Sequence, residues 1–366
     1  MIINIIDPTC NDHTGHCYGY DEAITKAASA NTWQFTLWLG RKAKQLSFTN
    51  KKVNVKAHFC YKIRKLQLYW VYRKLVRDQA AIFVPTATSI DILLLSYLLA
   101  RHTYTRKIVL HFHQFNKKPR KIAWLKKVAK VHSEKLVVIT TTDRLAKQWA
   151  ELGFQQVENI PCPVATVAKI VETPTSKPIT FLYAGAARAG KGFLQVVNWL
   201  QQLAQQTSWQ PMVHIQSSAT HSGKYDDISQ GALKTLRQLD YPNLTQEEHS
   251  LTPQEYELQF QRAICLLLYD KHSYHDKFSG ICLDALLLGA PVITVQGTWM
   301  GDMIERFDAG LALSELTADN IWQATQKVYV DYDYYRQQAI IASGVLRDEH
   351  DAKHTVVALA RYFDLR

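Results

Sequence analysis

Residues 179–193 read ITFLYAGAARAGKGF, and the way this run is parsed decides the fold. Its first part is almost continuously apolar, the composition of a strand buried on both faces. Its second part carries Gly185, Gly190 and Gly192 and passes into a helical pattern at Phe193, so a strand turns sharply into a helix. Arg188 and Lys191 sit inside that turn. Free N–H groups at a helix N-terminus, with two cations beside them, make a phosphate site. The spacing is not that of a P-loop, because Lys191 is followed by Gly192 where Ser or Thr is required. Taken alone, the loop reads equally well as a solvated basic turn.

Working outward, short apolar runs alternate with longer amphipathic ones, the pattern of a parallel sheet with crossover helices. Before residue 179 the strand candidates are 2–6 (IINII), 33–39 (WQFTLWL), 80–85 (AAIFVP), 107–112 (KIVLHF) and 135–140 (KLVVIT). After it they are 179–185, 212–217 (MVHIQS), 264–269 (ICLLLY) and 291–295 (PVITV), and the segment from Asp319 to Arg366 is mostly helical in pattern. The stretch Glu158–Pro178 holds four prolines without a convincing period and reads as a linker. A chain of 366 residues exceeds one ordinary core. The expected class is therefore α/β, with two Rossmann-like doubly wound domains facing across a cleft. The expected boundaries are 1–165, a linker at 166–178, a second domain at 179–345, and a C-terminal helix in 346–366 packing back on the first domain.

Charge is unevenly shared. Residues 1–150 hold 26 Lys and Arg against 8 Asp and Glu, a net of +18, whereas residues 151–366 hold 17 against 24, a net of −7. The basic half implies an anionic partner. Its charge concentrates in KIRKLQLYWVYRKLVR (62–77) and KKPRKIAWLKKVAK (117–130), where cations interleave with aromatics, the composition of a helix lying on anionic lipid. Tyr69, Trp70, Tyr72 and Trp124 suit the headgroup region. A solvated helix whose apolar face is core is the competing reading, and no nucleic-acid recognition motif is visible. Six cysteines without a CxxC pair do not form a disulfide framework. The longest apolar stretch, Ile90–Ala100, is too short to span a bilayer, and no secretory signal opens the chain. The expected location is cytoplasmic, peripheral on the inner face of the membrane.

A second constellation lies at 276–294, DKFSGICLDALLLGAPVIT. Asp276 and Asp284 are separated by seven residues, Ser279-Gly280 opens a helix, and Asp284 lies about one turn inside it. An ionised carboxylate is acceptor-only and suits paired hydroxyls such as a ribose diol. An ordinary amphipathic helix explains the leucines but not the carboxylate spacing.

Together, the glycine-rich loop after a strand and acid-x7-acid running into A-x-x-x-G-x-P-V resemble the C-terminal domain of retaining nucleotide-sugar glycosyltransferases of the GT-B fold, family 4. The family segment E-G-F-G-x-x-x-x-E-A-x-x-x-G-x-P-V stands here as D-K-F-S-G-I-C-L-D-A-L-L-L-G-A-P-V, with both acids shortened by one methylene, or about 1.3 Å of reach. The resemblance implies transfer of a sugar from a nucleoside diphosphate to a glycan or lipid-linked acceptor of the cell-surface polysaccharide or lipopolysaccharide type. It also implies no cofactor and no metal. The first domain would take the acceptor and the second the donor. Asp276 would contact donor hydroxyls and Asp284 the ribose. Gly185 and the backbone at Ser279, Gly280 and Ile281 would hold the diphosphate, and Arg188 and Lys191 would neutralise it as it leaves. The family's arginine directly after the loop glycine is Ala186 here, so Arg188 takes that role only if the loop folds back.

The resemblance extends weakly to KIVLHFHQF (107–115), implying His113 rather than His111 near the reacting bond, and to TWMGDMIERFDAGLAL (298–313), a turn into a last strand whose Trp299 reads as core. A transferase-like subunit without catalysis, binding glycan or acting as a scaffold, is the competing class. The stretch CNDHTGHC (10–17) offers two Cys and two His, but four ligands within eight residues make a poor zinc site. The resemblance instead implies an acceptor-side loop in which Gly15 allows close approach and His13 and His16 supply polar contacts.

Overall fold

The computed structural model describes the chain except residues 14–15, 116–117, 165–169, 171–177, 207, 218–225, 250 and 365–366, and the side chain of His16. It divides into two compact units, Met1–Thr166 with Glu349–Arg366, and Val167–Asp348.

The first unit runs β1 (Ile2–Asp7), α1 (His16–Ala27), β2 (Gln34–Gly40), β3 (Val53–Phe59), α2 (Arg64–Arg77), β4 (Ala81–Val84), α3 (Ser89–Leu99), β5 (Ile108–Phe112), α4 (Pro119–His132), β6 (Leu136–Thr140), α5 (Asp143–Glu151) and β7 (Val157–Asn159). All strands are parallel, in the order β3-β2-β1-β4-β5-β6-β7. The central strands β4, β5 and β6 are buried at every residue, as a parallel sheet covered on both faces requires. One core joins the sheet to α2, α3, α4 and α5 through Leu68, Tyr72, Leu95, Leu125 and Trp149.

The second unit runs β8 (Thr180–Ala184), α6 (Phe193–Ala204), β9 (Met212–Gln216), α7 (Asp227–Gln238), β10 (Leu244–Glu247), α8 (Pro253–Gln259), β11 (Ala263–Leu266), α9 (Lys271–Tyr274), α10 (Gly280–Leu287), β12 (Val292–Val295), α11 (Trp299–Phe307), β13 (Gly310–Leu313), α12 (Ala318–Val330) and α13 (Tyr332–Glu349). Its strands are again parallel, ordered β10-β9-β8-β11-β12-β13. Helix α13 is tied to α10 by Ser343 and Arg347, which both donate to the Leu287 carbonyl at 2.8 and 3.0 Å. The last helix, α14 (Ala352–Tyr362), belongs to the first unit and packs on α1. His350 meets the Cys162 carbonyl at 2.7 Å, and the Tyr362 hydroxyl donates to Glu158 at 2.9 Å.

Several sequence expectations need correction. The apolar runs locate the inner strands, but β3, β7 and β10 were not anticipated. Each is an edge strand, exposed along one side, so its sequence alternates or is polar: VNVKAHF, VEN and LTQE. Strand β7 also lies inside the stretch read as linker, since Ile160 N–H still donates to the Thr140 carbonyl at 2.9 Å. Most of the remaining linker lies outside the described residues. Among the aromatics assigned to a lipid face, Tyr72 is fully buried and donates to Asp91 at 2.6 Å, while Tyr69 and Trp124 pack against the core. Only Trp70 of the four is exposed, because positions 68, 71, 72, 75 and 76 form the buried side of α2.

Candidate functional site

The strand order of the second sheet places a site before any side chain is considered. From β8 the chain moves outward to β9 and β10, then returns to the other side of β8 as β11. The loops after β8 and β11 therefore part at the carboxyl ends of adjacent strands, where sheets of this kind bind ligands.

The first loop is built around glycines that nothing else can replace. Gly185 has φ +116°, and a Cβ there would stand 2.8 Å from Ile281 Cδ1 and 3.2 Å from Lys191 Nζ, so Gly185, Lys191 and Ile281 converge. Its N–H donates to the backbone and side-chain oxygens of Gln216, both at 3.1 Å, which fixes the loop to the end of β9. Gly192 has φ +70°, and a Cβ would overlap the Leu268 carbonyl oxygen at 1.8 Å. The loop is thus pressed against the chain leaving β11, and Asp270 N–H donates to the Gly190 carbonyl at 3.1 Å. Ala189 N–H is anchored on Ser229 of α7 at 2.9 Å.

Between these anchors the chain turns back, Arg188 N–H donating to the Ala186 carbonyl at 2.8 Å and Lys191 N–H to the Arg188 carbonyl at 2.9 Å. Arg188 is exposed, whereas Lys191 is partly buried beside the Tyr269 ring, 5.7 Å from its centroid. Burial, reinforced by the Arg188 charge, pushes the Lys191 ammonium down to about 8. A bound anion would relieve both effects.

The second loop ends in α10. Ser279 is its N-cap, its hydroxyl accepting from Cys282 N–H at 3.3 Å. The first N–H groups of a helix have no acceptor within it, which leaves those of Gly280 and Ile281 for a ligand. Gly280 is exposed and a Cβ there would meet nothing within 4 Å, so this helix end is open.

The two acids of the motif have different surroundings. Asp276 is buried and hydrogen-bonds the neighbouring His275 imidazole, itself close to half exposed. Asp284, one turn into α10, accepts from the Tyr256 hydroxyl of α8 at 2.9 Å. Burial raises its carboxyl from the ordinary 3.8 to about 6; the Tyr256 bond opposes that rise and Glu257 adds to it. Tyr256 and His275 were not legible as site residues. Tyr256 lies 28 residues before its partner, in a short helix held by a Thr252–Glu255 capping box, and no spacing rule connects the two. Trp299 opens α11, buried against Phe278 at 4.8 Å between ring centroids.

In the first unit, β5 ends at Phe112, and His113 follows, partly buried, with Nε2 2.8 Å from the Pro85 carbonyl. His111 is fully buried, 2.5 Å from the Tyr20 hydroxyl. Burial and then His113 hold its imidazole well below the usual 6.5, so it is neutral at pH 7. His111 and His113 share one side of the strand, 4.9 Å apart between ring centroids.

Of the CNDHTGHC residues, His13 is exposed and edge-on to Tyr18 at 4.5 Å, Gly15 lies outside the described residues, and His16 opens α1. Burial, with the Asp21 and Asp7 charges, drives the Cys10 thiol far up; burial and Asp7 do the same to Cys17. Among the described residues no group of three or more His, Cys, Asp or Glu is arranged to hold a metal ion.

No protein-family model and no curated protein sequence matches the chain. Solved structures do match along its whole length. A glycosyltransferase from Rickettsia africae superposes with TM-score 0.74 at 11% identity, covering 99% of this chain and 98% of that one. A sucrose-phosphate synthase from Thermosynechococcus elongatus gives 0.73 at 13% identity, covering 98% and 97%. The Anabaena protein HepE, in complex with UDP-glucose, gives 0.69 at 12% identity, covering 99% and 98%. The likeness, with the two parallel sheets of seven and six strands, is one of fold, and the fold is GT-B.

Proposed function

We propose that this chain is a glycosyltransferase that takes a sugar from a nucleoside diphosphate donor bound in the second unit and passes it, with retention of configuration, to a glycan or lipid-linked acceptor. The observation that carries the reading is the convergence of Gly185, Lys191 and Ile281 between two loops that diverge at the ends of β8 and β11. One loop brings cations, and the other brings the open N-terminus of α10. The UDP-glucose bound to HepE supports the same class of donor.

In this reading the α10 amides at Gly280 and Ile281, with Arg188 and Lys191, bind the diphosphate and stabilise the charge that develops as the sugar departs. The ionised Asp284, oriented by Tyr256, accepts from the ribose hydroxyls, and Asp276, oriented by His275, accepts from those of the donor sugar. His113 contacts the donor sugar or acceptor, and His13, Gly15 and His16 line the acceptor side. Charge neutralisation by side chains and amides replaces a metal, and the work is cytoplasmic.

Calorimetric titration with UDP, GDP, ADP and CDP tests the donor site. One of them should bind, and Asp284→Ala should weaken it by about tenfold or more. If none binds, or Asp284→Ala has no effect, the assignment falls. Retained activity in chelator and an unchanged anomeric configuration in the product test the other two points. The Asp-for-Glu changes and Ala186 favour a second reading, a donor-binding subunit without turnover; slow transfer or donor hydrolysis by pure protein rules it out.

A further inference from the structure

Helix α2 has more apolar surface than the core uses. With Leu68, Val71, Tyr72, Leu75 and Val76 already packed on the first sheet, a second stripe remains outside: Ile63, Leu66, Trp70, Arg73 and Arg77, at spacings of three or four along one side of the helix. Ile63, Leu66 and Trp70 are each more than half exposed, and Tyr61 just before them is 84% exposed. The neighbouring α3 repeats the arrangement with Leu93, Tyr97 and, just past its end, Arg101, four residues apart; the Arg101 guanidinium lies 3.7 Å from the Tyr97 ring centroid. Tyr69 joins the two stripes, its ring 5.3 Å from that of Trp70 and 6.2 Å from that of Tyr97.

The charge of this face is predominantly positive. No Asp or Glu occurs from Tyr61 to Arg77, against six Lys and Arg, and Asp78 just beyond pairs with Lys74 at 2.6 Å. The only acid of α3, Asp91, is buried and takes hydrogen bonds from Tyr72 and Thr88. Aliphatic, aromatic and basic groups each demand something of a partner. Ile63, Leu66 and Leu93 gain only from an apolar phase, which a nucleic acid backbone does not offer. Exposed Trp and Tyr favour a boundary that is apolar on one side and wet on the other. An excess of cations that Asp78 alone does not balance requires negative charge spread across that boundary.

We propose that the α2–α3 face is the surface by which this protein docks on an anionic lipid bilayer, with Leu66, Trp70, Leu93 and Tyr97 entering the headgroup layer and Arg73, Arg77 and Arg101 bound to lipid phosphates. The docking does not depend on the donor reading, and its test needs no sugar.

The full chain is sedimented with vesicles of phosphatidylcholine alone or mixed with phosphatidylglycerol. Binding should require phosphatidylglycerol and fall by about tenfold or more between low and high salt. Leu66→Ser/Trp70→Ser should lose about tenfold in partitioning at unchanged net charge. Arg73→Glu/Arg77→Glu should lose more, whereas Lys126→Glu/Lys127→Glu on α4, with the same charge change, should retain most of the binding. Bromine-labelled lipid should quench wild-type fluorescence through Trp70, and Trp70→Phe should remove that quenching, which keeps the proposal testable if the double variants misfold. Equal binding to pure phosphatidylcholine, full binding by Leu66→Ser/Trp70→Ser, or equal losses from the α4 and α2 charge reversals would overturn it. So would binding to an oligonucleotide or an acidic polypeptide in place of vesicles.

Discussion

Replacing Asp284 by Asn keeps the volume and an acceptor for the Tyr256 hydroxyl, and removes only the charge. In the folded chain burial lifts this carboxyl from 3.8 to about 6. A rise of that size corresponds to about 3 kcal/mol in favour of the protonated form. Partial exposure reduces the effect on folding to roughly 1–2 kcal/mol. The folded state holds the proton more tightly than the unfolded one, so wild-type stability falls as pH rises from 3.8 to about 6, and the penalty is complete above about pH 7. The Asp284→Asn chain escapes it. It is expected to melt roughly 2–8 °C higher near pH 8 and to match the wild type near pH 4. Thermal or urea unfolding of both chains across that range, without ligand, gives a difference in which other titrating groups largely cancel. The same substitution should weaken nucleoside diphosphate binding by about tenfold or more, because a neutral amide is a poorer acceptor for two hydroxyls than a carboxylate. A stability difference that does not change between the two ends of the pH range would refute the buried-carboxylate argument. A more stable variant with undiminished affinity would refute the ribose assignment alone.

Lys191, held down to about 8, should regain its proton when a diphosphate binds. Calorimetry near that pH in two buffers of different ionisation heat should show proton uptake, about half an equivalent, and Lys191→Met should abolish it. Gly192→Ala forces a Cβ onto the Leu268 carbonyl at φ +70°, so the chain should lose about 2 kcal/mol or more in urea unfolding, whereas Gly280→Ala, with nothing within 4 Å, should cost less than about 1 kcal/mol. Tyr256→Phe removes the hydroxyl that lowers the Asp284 carboxyl, so the pH at which nucleotide binding is half lost on acidification should move upward from about 6. An unchanged midpoint would mean that Tyr256 does not orient the acid.

What was legible in the sequence follows the burial of each segment. The strands flanked by partners on both sides, β1, β2, β4, β5 and β6 in one sheet and β8, β9, β11 and β12 in the other, stand out as apolar runs because both of their faces are covered. Edge strands have half that constraint. VNVKAHF keeps Lys56 and His58 outward, and VEN and LTQE have no apolar run at all, so three of the four edges were invisible; GLAL was reached only through its resemblance to a family turn. The phosphate-type loop was readable because φ above zero and close backbone approach demand glycine at Gly185 and Gly192, a requirement written in residue identity.

The sequence by itself therefore determined two α/β units, their inner strands, the switch-point loops and the acid spacing of 276–284. Only tertiary structure decided the surroundings of each polar group: Tyr256 against Asp284, the Arg188 charge acting on a partly buried Lys191, and His111 rather than His113 held in the core. It also decided which side of α2 is surplus, removing Tyr72 from the proposed lipid face and leaving Leu66 and Trp70 on it. The reason is physical. Local pattern reports what a segment needs from its surroundings, and a pairing across 28 residues, or the choice between two apolar stripes of one helix, is settled by what packs against it.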